Sequence, residues 1–218
     1  MELNGKKINF LGDSITEGHG TTSPANRFTE IIAREQGVVA RNYGIGGTRI
    51  ARQAAPSIEP RWDLDFVGRA GDMDPDADAV VIFGGTNDFG HGDAPLGTMA
   101  DRCETTFYGA LHLLFGGIRS RYPAAKIAVL TPLHRCNEDN LRGDGNKAQD
   151  VAPLKTYVEI IREVAEFYSL PVLDLYKNSG LQPRLPVIQQ MYMPDGLHPN
   201  DAGHRVLADQ IVQFLRTL

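Results

Sequence analysis

The sequence predicts an α/β protein: an open parallel sheet wrapped by helices. Two observations carry that expectation. Five short runs are continuous and rich in Val, Ile and Leu, as in strands covered on both faces. Between them, apolar residues recur at helical spacing, so strand and helix alternate along the chain. The 218 residues suffice for one sizeable core, and no Ser/Gly linker, composition break or repeat divides them, so residues 1–218 read as a single domain.

The first strand is expected over Lys7–Leu11 and the second over Val38–Tyr43. Trp62, Phe66 and Ala70 fall at helical spacing and read as core. The third strand is expected over Ala79–Gly84. A helical stripe follows, through Met99, Cys103, Phe107, Leu111, Leu114 and Ile118. The fourth strand, Lys126–Thr131, precedes a second stripe of Val151, Leu154, Val158, Ile161 and Ala165. After the fifth strand, Pro171–Leu175, a last helix carries Val206, Ile211, Phe214 and Leu218, with Asn200 or Asp201 as its N-cap.

In such a sheet, ligands bind beyond the carboxyl ends of the strands. Polar and glycine-rich residues collect there: Gly12-Asp13-Ser14 after the first strand, Asn42–Thr48 after the second and Gly84–Asp88 after the third. Thr131–His134 follows the fourth, and Asp195–Asn200 precedes the last helix. Serine-dependent ester hydrolysis needs a nucleophile, a base, a group that orients the base and donors for the oxyanion. Ser14 is the candidate nucleophile, with the N-terminal dipole of the helix after it favouring negative charge. His198 is the candidate base, and Asp195, three residues earlier, can hold its far nitrogen. The Ser14 N–H, the Gly47 N–H and the Asn87 amide are the candidate oxyanion donors. Singly, each has a plainer reading: Ser14 as a helix N-cap, Asn87 as an Asx-turn residue, Asp195 and His198 as a surface loop.

Taken in order, GDSITEG, NYGIGGT, GGTND and DGLHPN resemble the four sequence blocks of the SGNH (GDSL) hydrolase family, and the resemblance spans nearly the whole chain. It implies a flavodoxin-like, three-layer α/β/α fold with strand order 2-1-3-4-5, and acyl-ester hydrolysis without a metal or other cofactor. By the family pattern Ser14 is the nucleophile, Asp195 and His198 complete the triad, and Asn87 is the block-three asparagine. Gly47, five residues beyond Asn42, matches the block-two glycine in preference to Gly46.

Net charge is −5 with mixed signs, which argues for a soluble protein and against a nucleic-acid surface. No apolar run approaches membrane-spanning length. Cys103 and Cys136 read as reduced thiols, and with no signal segment apparent the expected location is cytoplasmic. Asp72–Asp78 alternates acids but lacks the glycine and distal glutamate of a calcium loop, so it reads as a solvated turn. His91 and His134 are expected at the rim, and His204 in a packing or surface role. Asp13, Glu17 and Asp88 are expected to stabilise loop and helix ends.

The expected partner is a small-molecule acyl ester. Loops 90–96, 133–150 and 177–194 contain few large apolar residues apart from Met191, Tyr192 and Met193. A short acyl group on a polar alcohol, such as an O-acetyl carbohydrate, is therefore expected. A lysophospholipase or thioesterase taking longer chains is the alternative. A non-catalytic binding module on the same fold is a third reading, against which the intact set Ser14, Asn87, Asp195 and His198 counts. Oligomeric state is left open.

Overall fold

The computed structural model describes residues 1–218. Five strands, β1 (Lys7–Gly12), β2 (Val39–Gly44), β3 (Ala79–Phe83), β4 (Lys126–Leu130) and β5 (Val172–Leu173), form one sheet in the order 2-1-3-4-5. Every pairing is parallel, with Ile8 opposite Ala40 and Ala79, Ala79 opposite Lys126 and Val129 opposite Val172. The helices are α1 (Ser14–Glu17), α2 (Phe28–Gln36), α3 (Phe66–Arg69), α4 (Thr86–Gly90), α5 (Phe107–Arg121), α6 (Leu154–Phe167), α7 (Leu175–Asn178), α8 (Pro186–Tyr192) and α9 (Asp201–Thr217).

The central strand explains the layering. Successive side chains of β3 point to opposite faces. Val80 and Ile82 pack with Leu111, Phe115, Leu154 and Ile161 of α5 and α6. Ala79, Val81 and Phe83 pack with Phe28 and Ile32 of α2 and Leu207 and Ile211 of α9. Both faces are thus covered, as the continuous apolar runs require. The edges differ from expectation. β2 is an edge strand whose residues are half-buried or exposed, with Val39 49 % accessible. β5 contributes only two residues to the ladder.

Two helices start later than the apolar spacing predicts. Met99 and Cys103 precede α5 rather than lying in it, because Thr106 caps its start by accepting the Gly109 N–H, and the Asp101 carboxylate in turn accepts the Thr106 hydroxyl. Cys103 and Cys136 are free and exposed. Val151 lies outside α6, which begins directly after Pro153. At the last helix, Asn200 and not Asp201 is the N-cap, accepting the Gly203 N–H at 3.1 Å. Phe66 is fully buried and Ala70 packs beside it, but Trp62 stands in a 3-10 turn (Pro60–Asp63) and is only half-buried. His204 does pack internally, its Nδ1 accepting the Phe28 N–H at 3.2 Å. The acidic turn is an ion-paired lip of the sheet: Asp74 faces Arg41, Asp76 faces Lys7 and Asp78 faces Lys6.

The sheet ends in close backbone approaches. A Cβ on Gly12 would stand 1.9 Å from Thr16 Oγ1 and 3.1 Å from the Phe83 carbonyl oxygen. Gly12→Ala is therefore expected to destabilise the protein by about 1–3 kcal/mol through overpacking. Thermal unfolding should show this as a Tm lowered by several degrees; an unchanged Tm would mean that the turn after β1 relaxes freely.

Candidate active site

The turn after β1 presents Ser14. The Asp13 carboxylate accepts the Ile15 N–H at 3.1 Å, so Asp13 is the N-cap and Ser14 is the first helical residue. That removes the reading of Ser14 as a cap. It also limits the dipole argument, because α1 is one turn long and ends at Gly18, whose φ of 99° is left-handed. Burial pushes the Asp13 carboxyl up to about 7, with the Ile15 N–H and the Arg69 charge opposing.

Ser14 Oγ stands 3.0 Å from His198 Nε2. On the other side of the ring, His198 Nδ1 is 2.6 Å from Asp195 Oδ2. The second carboxylate oxygen, Oδ1, accepts the backbone N–H groups of Leu197 at 2.9 Å and His198 at 2.7 Å. One carboxylate therefore shapes the turn and orients the ring within it. Gly196, with φ 78°, makes the tight reversal, and its carbonyl accepts the Cys136 N–H at 2.9 Å. Burial lowers the His198 pKa below the usual histidine value; Asp195 opposes the shift, while His19 and Arg135 add to it. For Asp195, burial pulls upward, but the hydrogen bonds from His198 and Leu197 hold the carboxyl below the usual range. A neutral imidazole facing a serine hydroxyl can take its proton.

The candidate donors for a developing oxyanion come from three strand ends. The Gly46 N–H is occupied, donating to Glu17 Oε2 at 2.7 Å. The Gly47 N–H and the Ser14 N–H have no acceptor in the protein. Gly47 takes a left-handed φ of 78°. Asn87 lies on α4, directly after β3. Its amide nitrogen donates one hydrogen to the Thr48 carbonyl at 3.0 Å, leaving the second for a ligand. Next to it, both oxygens of the buried Asp88 carboxylate accept backbone N–H groups, from Ile50 and Ala51, each at 2.9 Å. Asn87 and Asp88 thus fasten the loop after β2, which carries Gly47, to the end of β3. Burial raises the Asp88 pKa to about 6 against those two N–H groups. Asp13, Asp88 and Glu17 serve loop and helix ends, as expected of them.

Two residues escaped the sequence reading. Trp62, expected in the core, covers Gly47 so closely that a Cβ there would stand 2.0 Å from the indole Cδ1. Its one signal in the sequence is that it is the lone tryptophan of the chain. His19 has its ring centroid 4.2 Å from that of His198. His91 packs on Trp62 at 4.8 Å, and its Nδ1 accepts from Arg49 Nη1 at 3.0 Å. Burial, with Arg49 beside it, pushes the His91 pKa down to about 4, so the ring is neutral. His134 instead pairs with Glu138 at 2.7 Å. Beyond Trp62 a cavity of about 330 Å³ is lined by Arg49, Gln53, Trp62, His91, Asp93 and Asn146. On the other flank, Leu185, Val187 and Met191 are exposed on and before α8, whereas Met193 is fully buried and Tyr192 half-buried. No helix is long and apolar enough to cross a membrane.

The chain resembles known proteins along its length. It is 26 % identical to a GDSL lipase of Mycobacterium tuberculosis over 95 % of this chain and 80 % of the relative. A protein of known structure from Lactobacillus plantarum is 30 % identical, with a TM-score of 0.83 over 99 % of this chain and 98 % of its own. A two-domain esterase active on acetylated mannans shares the fold, with 21 % identity and a TM-score of 0.66 over 99 % of this chain and 49 % of that protein. Residues 10–206 match the GDSL-like lipase/acylhydrolase family. The chain belongs to that family, and it is a hydrolase of ester bonds.

Proposed function

We propose that the protein hydrolyses carboxylic esters through a Ser14–His198–Asp195 triad, and that its substrates carry short acyl groups on a polar alcohol. The observation that carries the reading is the continuous line of contacts from Ser14 Oγ to His198 Nε2 at 3.0 Å and from His198 Nδ1 to Asp195 Oδ2 at 2.6 Å. Ser14 Oγ attacks the acyl carbonyl as His198 takes its proton. The oxyanion is held by the N–H groups of Ser14 and Gly47 and the free amide hydrogen of Asn87. His198 passes the proton to the departing alcohol, and Asp195 stabilises the imidazolium meanwhile. Water then attacks the acyl-enzyme by the same route and restores Ser14.

The substrate reading draws on the crevice beside Trp62. Arg49, Gln53, Asp93 and Asn146 give it a polar lining around one aromatic face, a surface suited to a hydroxyl-rich alcohol. An O-acetylated carbohydrate is the class that fits best, and one esterase of the same fold acts on acetylated mannans. The exposed Leu185, Val187 and Met191 favour a second reading, in which a longer acyl chain lies along α8. Comparing p-nitrophenyl acetate with p-nitrophenyl octanoate separates the two: faster turnover of the acetate supports the first, faster turnover of the octanoate the second.

Ser14→Ala should bring hydrolysis of p-nitrophenyl acetate to background; full activity in that variant would end the triad reading. Asn87→Ala should lose on the order of 10²–10³ in kcat, as for other single oxyanion donors. A loss under about tenfold would take Asn87 out of the hole. For pH, the base must be neutral, and burial lowers the His198 pKa. Activity should therefore rise with pH, with a midpoint below the ordinary histidine value of about 6.5. Because Asp195 holds the pKa up, Asp195→Asn should move that midpoint further toward acid while lowering the rate. A profile flat between pH 5 and 8, with chemistry limiting, would speak against a histidine base.

A further inference from the structure

His19 takes no part in the proposed reaction, yet it stands at the mouth of the site with one donor atom within 4.8 Å of donors on both Asp195 and His198. The two segments concerned are fastened to each other without any ion. Gly20 lies so close to Pro199 that a Cβ would stand 2.5 Å from its carbonyl oxygen. Two residues beyond Pro199, Asp201 accepts the Thr22 N–H at 2.8 Å and the Thr22 hydroxyl at 2.5 Å, and the Asn26 amide at 2.9 Å. The His19 ring is therefore brought to the Asp195–His198 loop by a built seam rather than by a wandering surface chain. His19 itself is exposed, with its ring centroid 4.2 Å from that of His198.

We propose that His19, Asp195 and His198 form an inhibitory site for a borderline-soft divalent metal ion, zinc being the best match. Two imidazoles and one carboxylate are donors that zinc accepts in tetrahedral sites, with water in the fourth position. Calcium and magnesium favour oxygen-only shells and are a poor match. A tetrahedral ion with bonds of roughly 2.0–2.2 Å holds its ligands about 3.3–3.6 Å apart. Rotation of the exposed His19 ring supplies most of the closure from 4.8 Å.

Coordination silences the base whichever His198 nitrogen binds. At Nδ1, the ion takes that nitrogen's lone pair and the ring's single proton moves to Nε2, the nitrogen facing Ser14, which then has no lone pair to receive the serine proton. At Nε2, the ion takes the lone pair that would receive the Ser14 proton. The ion contributes nothing to turnover; it competes with proton transfer.

The inhibition half of this inference rests on His198 acting as the base, whereas the binding half does not. Calorimetric titration of Ser14→Ala with zinc chloride, in a non-chelating buffer, reads binding alone. One saturable site is expected, with affinity reduced at least roughly tenfold in Ser14→Ala/His19→Ala and no heat from magnesium. Absence of saturable zinc binding, or equal affinity in the two proteins, would overturn the site. In parallel, zinc should inhibit p-nitrophenyl acetate hydrolysis by the wild type reversibly on addition of EDTA. Assayed well above the His198 midpoint and normalised to its own metal-free rate, His19→Ala should need at least roughly tenfold more zinc for the same fractional inhibition. Zinc binding that depends on His19 but leaves hydrolysis untouched would overturn the inhibitory role.

Discussion

The buried carboxylate of Asp88 is the constraint on which the site depends. Both of its oxygens accept backbone N–H groups of the loop that follows β2, while Asn87, its neighbour, donates to Thr48 in the same loop. A carboxylate that is 4 % exposed is costly to hold ionised, as its raised pKa records. Two N–H donors at 2.9 Å offset part of that cost and leave neither loop free to drift. The result is that Gly47 and Asn87, which come from different strands, share one rigid frame. Oxyanion donors act only when their positions are set before reaction. The same economy appears in Asp195, whose two oxygens divide between the turn's backbone and the imidazole.

Much of this arrangement is legible in the sequence because it follows from strong local rules. Runs such as KIAVL and AVVIF are long on β-branched residues and bounded by polar turns, so strand positions and their parallel setting are recoverable. The chemistry is legible because a parallel sheet delivers every strand's carboxyl end to one edge. Once GDS, GGTND and DGLHPN fall at such ends, their convergence follows from topology. The order 2-1-3-4-5 does not follow from periodicity and came through the resemblance of the four blocks.

What was not legible depended on non-local packing. Apolar spacing from Met99 to Ile118 is consistent with one helix, but the interlocked Asp101 and Thr106 side chains hold residues before Phe107 out of it. The choice between Gly46 and Gly47 turns on Glu17, which occupies the Gly46 N–H from across the site. Trp62 read as core because spacing reports periodicity and not location; its true neighbour, Gly47, is fifteen positions away in the same connection between β2 and β3, which folds back on itself. His19 carried no local signal at all, and its closeness to His198 comes from the seam between the α1 segment and α9.

The hydrogen bond between Ser14 and His198 joins residues 184 positions apart. Contacts of such sequence separation are among the last to be rewarded during folding, since the loop they close must first be ordered by everything between. A nascent or partly unfolded chain can carry both residues and still have no proton acceptor beside its serine. Under the proposed mechanism, labelling of Ser14 by an acylating probe therefore reports that the first and last segments of the chain have come together, not the integrity of one turn.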